Sequence, residues 1–184
     1  MDEQKWKMFI TKLTAGVNDG AMIDPTKAHF AMTVEFFNSL GIDDADKQLL
    51  DIGCYKCPLK NTKAIWNGVD INGVSDSGDI KSFINMDCHD LQIVDECFDI
   101  VFCNHTLEHV LAPLIVLSEI HRVLKNDGDV VIGLPIYPSF IGDDHNYVLT
   151  EGSWKHLFKR AGFKVVKETG VSVDGCACFH LRKV

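Results

Sequence analysis

Long apolar runs are missing from this sequence, and so is an excess of positive charge. No hydrophobic stretch reaches the length of a membrane-spanning helix, and the first residues, MDEQKWKMF, lack the apolar core of a signal peptide. The chain has 18 Lys and Arg residues against 26 Asp and Glu residues, a formal net charge of -8. These absences argue against a membrane or a nucleic acid as partner. We therefore expect a cytoplasmic protein.

The chain also lacks an even complement of cysteines for full disulfide pairing, because it has 7. Complete internal pairing is impossible, and several cysteines lie in apolar segments, so we expect reduced thiols in a reducing compartment. Cys54 and Cys57 form a CxxC pair that Cys176 and Cys178, or a nearby histidine, would complete as a zinc site, or that would act alone as a redox pair. No second CxxC is present, so we predict no metal site.

The length of 184 residues suits one domain with a substantial core. Alternating strand and helix patterns predict an α/β fold, a doubly wound and mostly parallel sheet with helices on both faces. Residues 1–46 read as a helical cover, with helices over 3–14 and 25–40, and 47–184 as the core. Two further helices are predicted, one starting at Pro113 and stopped by residues 126–128, the other capped by Thr150 and closed by Gly162. Strands are predicted over 49–52, 67–69, 83–86, 98–103, 129–134, 163–167 and 176–181.

The core is organised around Leu49–Cys54, an apolar strand that ends in an acid, a glycine and a cysteine. Gly53 permits a tight turn and a close approach to the main chain. Asp70, Asp87 and Asn104 follow the next three predicted strands. Ligands of open α/β sheets bind at the carboxyl ends of strands, where an acid often holds ribose hydroxyls. The pattern thus favours a nucleoside site.

The segments LLDIGC, GVDIN, FDIVFCNHTLEHV, EIHRVLKNDGDVVIGLP and WKHLFKRAGFKVV resemble, in order and spacing, the class I S-adenosylmethionine-dependent methyltransferases, over roughly residues 48–168. The resemblance is to methyltransferases of type 11, and to a subgroup with a Gly-Cys-x-x-x-Pro loop. That loop reads Gly53-Cys54-Tyr55-Lys56-Cys57-Pro58 here, with Tyr55 in place of a second glycine. The resemblance implies about seven strands, the last one antiparallel.

The same resemblance implies S-adenosylmethionine as cofactor, S-adenosylhomocysteine as product, and a binding site at the strand ends. The implied cofactor-binding residues are Asp51, Gly53, Cys54, Asp70, Ile71, Asp87, Cys88 and Asn104. The first three and Asn104 would lie by the methionine moiety, Asp70 would accept hydrogen bonds from both ribose hydroxyls, and Asp87 and Cys88 would meet the adenine.

The acceptor side is marked by histidines, because imidazole can take a proton from a hydroxyl near neutral pH. His145, in the loop after the fifth strand, and His105 are the candidate catalytic residues; His109 is read as structural or pocket-shaping. Tyr137, Tyr147, Met22 and His29 are further candidates for the pocket. The predicted function is methylation of a small-molecule acceptor at oxygen.

Three other functions compete with this prediction. A dinucleotide oxidoreductase would need a GxGxxG turn, but Tyr55 and Pro58 interrupt it. A nucleic-acid amino-methyltransferase would carry an Asp/Asn-Pro-Pro-Tyr motif after the fourth strand, where Asn104-His105-Thr106-Leu107 stands. A non-catalytic protein that binds the cofactor or its product and acts through a partner stays open as the alternative.

Overall fold

The computed structural model describes residues 28–54, 59, 61–72, 80–138 and 145–184. The predicted helix over 3–14 and most of the first loop, 55–58, lie outside this part of the chain, as does Met22. The described residues form three helices, α1 (Ala28–Ser39), α2 (Pro113–Val123) and α3 (Glu151–Arg160). They form seven strands: β1 (Gln48–Ile52), β2 (Ile65–Asp70), β3 (Ser82–Asn85), β4 (Phe98–Asn104), β5 (Leu124–Pro135), β6 (Phe163–Glu168) and β7 (Cys176–Lys183).

The seven strands form one sheet in the order β3-β2-β1-β4-β5-β7-β6. Strands β1 to β5 pair in parallel, whereas β7 runs antiparallel to both β5 and β6. The predicted sheet with an antiparallel last strand is confirmed. The chain winds outwards from β1 to β3 on one side and from β4 onwards on the other. The strand order therefore reverses between β1 and β4, the point at which sheets of this kind bind ligands.

Helices cover both faces of the sheet, as the continuous apolar character of β1 and β4 requires. On one face, Phe36 and Phe37 of α1 pack with Trp66 and Phe102. Apolar residues of α2 and α3 pack on the opposite face: Val116, Leu117, Ile120, Val123, Trp154 and Phe158. Each helix thus buries one apolar stripe.

The two helices after β4 begin and end where the sequence places their signals. Pro113 occupies the first turn of α2, where its missing N–H costs nothing. At α3, the Thr150 hydroxyl accepts a hydrogen bond from the N–H of Ser153 (3.2 Å), and Gly162 follows the helix with φ of 87°. These caps fix the path into β6.

The start of β5 differs from the prediction. We expected residues 126–128 to form a turn before a strand over 129–134, but β5 begins at Leu124, paired with Phe98, and the register shifts between Phe98 and Ile100. A side chain at Gly128 would lie 2.7 Å from the Leu124 side chain. The pairing with β4 stops after Leu124 and resumes at Asp129, which pairs with Ile100, so residues 125–128 bulge out of the ladder at the predicted turn, and the regular pairing begins at residue 129 as predicted.

Candidate cofactor and acceptor site

The turn after β1 is shaped by one glycine and one threonine. Gly53 has φ of 77°, and its N–H donates to the carbonyl of Val69 (2.8 Å). A Cβ built on Gly53 would lie 2.1 Å from the Thr106 hydroxyl, which itself donates to the carbonyl of Ile52 (3.1 Å). The space above Gly53 is thus filled by the loop after β4, and its N–H serves the sheet. The predicted contact between Gly53 and a cofactor stays a prediction.

Asp51 is buried in β1, with 1% of its surface exposed. The indole N–H of Trp66 donates to its Oδ2 (3.2 Å). Burial raises the pKa of Asp51 to about 8, the Trp66 hydrogen bond lowers it, and the nearby Asp70 raises it further. Asp51 therefore holds a proton near neutral pH and binds Trp66 beside the predicted site.

The end of β2 presents Asp70, which is 9% exposed. Its Oδ1 accepts the N–H of Asn72 (2.7 Å), which fixes the direction of the carboxylate. The amide of Asn85, at the end of β3, donates to the carbonyl of Ile71 (3.0 Å). These bonds hold the strand ends in one place, which preorganises Asp70 as an acceptor.

Two hydrogen bonds through His89 connect Asp87, after β3, to Ala112, which precedes α2. The N–H of Ala112 donates to Nε2 of His89 (3.2 Å). Because Nε2 accepts this bond, the ring proton of His89 lies on Nδ1, which donates to Asp87 (2.6 Å). Burial raises the pKa of Asp87, but the hydrogen bonds from His89 outweigh it and hold the pKa below its ordinary value. Burial raises the pKa of the Cys88 thiol, and the charges of Asp87 and Asp70 raise it further.

Asn104 ends β4 beside the point where the strand order reverses. Its side chain is 4% exposed, and neither amide atom has a hydrogen-bond partner within the described residues. A Cβ on Gly133 would meet Oδ1 of Asn104 at 2.5 Å and the Thr33 hydroxyl at 2.2 Å. Gly133 thus leaves space for the amide and for α1. A buried amide of this kind fits a ligand that supplies both a donor and an acceptor.

Three histidines, His105, His109 and His145, lie near the buried carboxylate of Glu108. Oε1 of Glu108 lies 3.0 Å from Nδ1 of His105 and 3.9 Å from Nε2 of His109. The rings of His109 and His145 lie 4.9 Å apart, edge to face. His105 has φ of 49° and its ring packs 4.9 Å from Phe30 of α1, so α1 contributes to this region.

Glu108 stays ionised although none of its side-chain surface is exposed. Burial raises its pKa, but the hydrogen bond from His105 and the charges of His105 and His109 lower it below the ordinary value. Burial, followed by the charge of Glu108, raises the pKa of the Cys176 thiol to about 11. A negative charge is therefore fixed at the carboxyl ends of β4 and β5.

The cysteines of the described residues are free, and Cys54, Cys103, Cys176 and Cys178 are buried. Among the described residues, the groups that could hold a metal ion do not include Cys54, Cys176 or Cys178. The zinc alternative built on Cys54 thus has no support from this part of the chain, and Cys57 lies outside it.

Residues 50–132 match the family model described as "Methyltransferase domain". This segment of the chain, a little under half of its length, is similar to a methyltransferase domain. The predicted resemblance to this family is thereby confirmed, and the Gly-Cys loop subgroup stays a prediction. The comparison with curated proteins finds no match.

Solved structures share the fold of this chain at low sequence identity. The Burkholderia thailandensis 1,6-didemethyltoxoflavin-N1-methyltransferase, solved with 1,6-didemethyltoxoflavin and S-adenosylhomocysteine, matches with a TM-score of 0.76 and 17% identity, covering 100% of this chain and 91% of that one. The [4+2]-cyclase SpnF matches with a TM-score of 0.70 and 17% identity, covering 97% and 94%. A putative methyltransferase in complex with the Haloferax volcanii Trm112 activator matches with a TM-score of 0.66 and 15% identity, covering 94% and 97%. These likenesses show the fold, and a cyclase among them shows that the fold alone does not fix the reaction.

The structure brings the residues predicted for the methyltransferase site together in two groups. Asp70, Ile71, Asp87 and Cys88 lie around the ends of β2 and β3, while Asn104 and His105 lie at the end of β4. The end of β1 and the turn after it lie between these two groups. There, Asp51 faces Trp66, Gly53 faces Thr106, and Cys54 faces Gly68.

Sequence reasoning underestimated the segment Asn104–His109. We read Leu107-Glu108-His109 mainly as structural, yet Glu108 contacts two histidines and its main-chain carbonyl accepts the N–H groups of Asn146 (2.8 Å) and Tyr147 (3.0 Å). The available signal was an acid, Glu108, close in sequence to two histidines, His105 and His109. Tyr147 is a packing residue, since its hydroxyl donates to the carbonyl of Leu111 (2.8 Å), and Tyr137 is 56% exposed.

Proposed function

We propose that the protein transfers a methyl group from S-adenosylmethionine to a small-molecule acceptor, at oxygen. The observation that carries the proposal is the set of polar groups at the reversal point: carboxylates on β2 and after β3, and the unpartnered buried amide of Asn104 at the end of β4. The methyltransferase domain supplies the reaction class. A neighbour solved with S-adenosylhomocysteine supports the cofactor.

Each part of the cofactor has a proposed set of residues. Asp70 accepts from the two ribose hydroxyls, because a carboxylate offers two oxygens to two donors. Asp87, with the main chain of Cys88, meets the adenine. Asn104 bonds the amino-acid end, which would satisfy the donor and acceptor that it lacks within the described residues. Asp51, Gly53, Cys54 and Ile71 complete the site by shaping the strand ends.

The cofactor supplies an electrophilic methyl group on a positively charged sulfur. The protein's part is to hold acceptor and cofactor within reacting distance and to receive the acceptor's proton. His145 and His105 are the proposed catalytic residues, because they lie in the loops after β5 and β4 at the same edge of the sheet. The fixed negative charge of Glu108 would stabilise either imidazole once it has taken the proton.

A small acceptor is favoured by the acidic chain, with its net charge of -8, which does not suit a phosphate backbone. The toxoflavin-precursor enzyme in the same fold supports a small acceptor too. We propose one domain over residues 1–184, with 1–46 as a cover over the site, and a cytoplasmic location. No helix in the described part of the chain combines the length and apolarity needed to cross a membrane.

The test is transfer of a labelled methyl group from S-adenosylmethionine to a panel of small alcohols, phenols, carboxylic acids, amines and thiols. We expect label in oxygen acceptors and its loss in Asp70→Asn. A protein that binds S-adenosylhomocysteine but transfers no label across the panel would favour the alternative, a non-catalytic binder that acts through a partner. Label only in amines would overturn the choice of oxygen.

A further inference from the structure

A carboxylate and two imidazoles converge at the carboxyl ends of β4 and β5. One ligand atom each of Glu108, His109 and His145 lie within 4.8 Å of one another. Two histidines and a carboxylate form a donor set that binds Zn²⁺, Fe²⁺ and related divalent cations. The three residues come from two separate loops, so the fold rather than local sequence brings them together.

Two hydrogen bonds, one from the main chain and one from the side chain of Asn146, hold these two loops together. The carbonyl of Glu108 accepts the N–H of Asn146 (2.8 Å), and the Asn146 amide donates to the carbonyl of His109 (2.6 Å). Asn146 follows His145 directly. The segment that carries His145 is therefore fixed against the segment that carries the other two residues, which lowers the cost of assembling a ligand set.

A second, independent observation points to a ligand at this place. Oε2 of Glu108 is fully buried and has no hydrogen-bond partner within the described residues. A buried ionised carboxylate is costly unless each oxygen is paired, and a cation pairs it more effectively than a neutral imidazole does. The carboxylate thus has capacity for one more positive partner.

The other acid and histidine group of the described residues, Asp87, Cys88 and His89, lacks this capacity. Nδ1 of His89 is bonded to Asp87, and Nε2 accepts the N–H of Ala112. Neither nitrogen of His89 has a lone pair left for a metal, so the role of this group is to connect Asp87 to Ala112 by hydrogen bonds.

We propose that Glu108, His109 and His145 form a binding site for one divalent transition-metal cation. Ligand atoms around tetrahedral Zn²⁺ lie roughly 3.3 Å apart, so the side chains must close by about 1.5 Å at most, which χ rotations of the two half-buried histidines provide. The earlier prediction of no metal site is replaced by this proposal. Metal binding at His145 leaves His105 as the catalytic imidazole, a consequence that rests on the proposed function; the binding itself does not.

The test uses the full chain without a histidine tag, stripped with a chelator and titrated with Co²⁺ and Zn²⁺. We expect one equivalent of Zn²⁺ retained after gel filtration, and a Co²⁺ visible absorption spectrum of a low-coordinate site with nitrogen ligands. His145→Ala and His109→Ala should each weaken Co²⁺ binding more than about 100-fold. The control His156→Ala, an exposed histidine of α3, should leave affinity and spectrum unchanged.

The proposal is overturned if native protein retains no stoichiometric metal, or if His145→Ala keeps the native Co²⁺ spectrum. Glu108→Gln is a supplementary variant whose effect on folding is checked by circular dichroism; the two histidine variants decide the result whether or not it folds. Binding of S-adenosylhomocysteine is measured in the same metal-free samples. Retained nucleoside binding without metal binding would remove the metal site and leave the proposed function standing.

Discussion

Gly53→Ala is the substitution whose cost the structure defines best. Two effects act on the new methyl group. The backbone at Gly53 has φ of 77°, where a residue with a Cβ pays roughly 1–2 kcal/mol. The methyl would also lie 2.1 Å from Oγ1, 2.7 Å from Cγ2 and 2.9 Å from Cβ of Thr106.

Thr106 cannot move away without further loss. Its hydroxyl donates to Ile52 (3.1 Å) or to Asn104 (3.2 Å), and the contact with its Cβ persists in every rotamer. Shifting the backbone or breaking the hydrogen bond adds about 1–3 kcal/mol. We therefore expect Gly53→Ala to lower the free energy of unfolding by about 2–5 kcal/mol.

Gly41→Ala separates the two effects. Gly41 follows α1 with φ of 63°, but nothing lies within 4 Å of the added Cβ. This variant should lose only the backbone cost, about 1–2 kcal/mol. Thr106→Ala in the Gly53→Ala background removes Oγ1 and Cγ2 and should restore part of the difference.

The assay is urea unfolding of the four proteins followed by tryptophan fluorescence. A cost for Gly53→Ala no greater than that for Gly41→Ala would refute the contact between the β1 turn and Thr106. A cost unchanged by Thr106→Ala would refute the assignment of the clash to its side chain.

Three further predictions concern Asp51, Thr150 and Phe37. Burial raises the pKa of Asp51 from 3.8 to about 8, so the folded state keeps a proton that the unfolded state releases, and Asp51 lowers the stability of the protein as pH rises from 4 to 8. In urea unfolding, the stability of Asp51→Asn relative to native protein should therefore increase from pH 5 to pH 8.5. A difference in stability that does not change with pH would contradict the raised pKa. Thr150→Ala should cost about 1 kcal/mol by removing the cap of α3, against under ~0.5 kcal/mol for the exposed Ser118→Ala. Phe37→Ala should cost about 3–5 kcal/mol, because Phe37 is 1% exposed and packs edge to face on Phe102.

The parts of the fold that the sequence predicts are those with local signals. The apolar strand before Gly53, the Thr150 cap and the acids after β2 and β3 are each visible within a few residues. Because parallel strands end at one edge, the acids were predicted to share a site without knowledge of their distances. The order of motifs then predicted the similarity to a methyltransferase domain that residues 50–132 show.

The rest depends on contacts between distant segments. Thr106 closes the turn at Gly53 across 54 positions from Ile52, and His145 meets Glu108 through a loop from another strand. The regular part of β5 begins at Asp129 as predicted, whereas the single earlier pairing of Leu124 with Phe98 depends on a distant strand and has no local signal. Single-residue preferences carry no information on such pairings.

Calorimetric titration of native protein, Asp70→Asn and the exposed control Asp174→Asn with S-adenosylhomocysteine tests the nucleoside site most directly. Native protein and the control should bind one equivalent with equal affinity, and Asp70→Asn should bind more weakly by on the order of 1.5–3 kcal/mol, the loss of a charged hydrogen bond. No binding by folded native protein, or equal binding by Asp70→Asn, would contradict a nucleoside site at the end of β2.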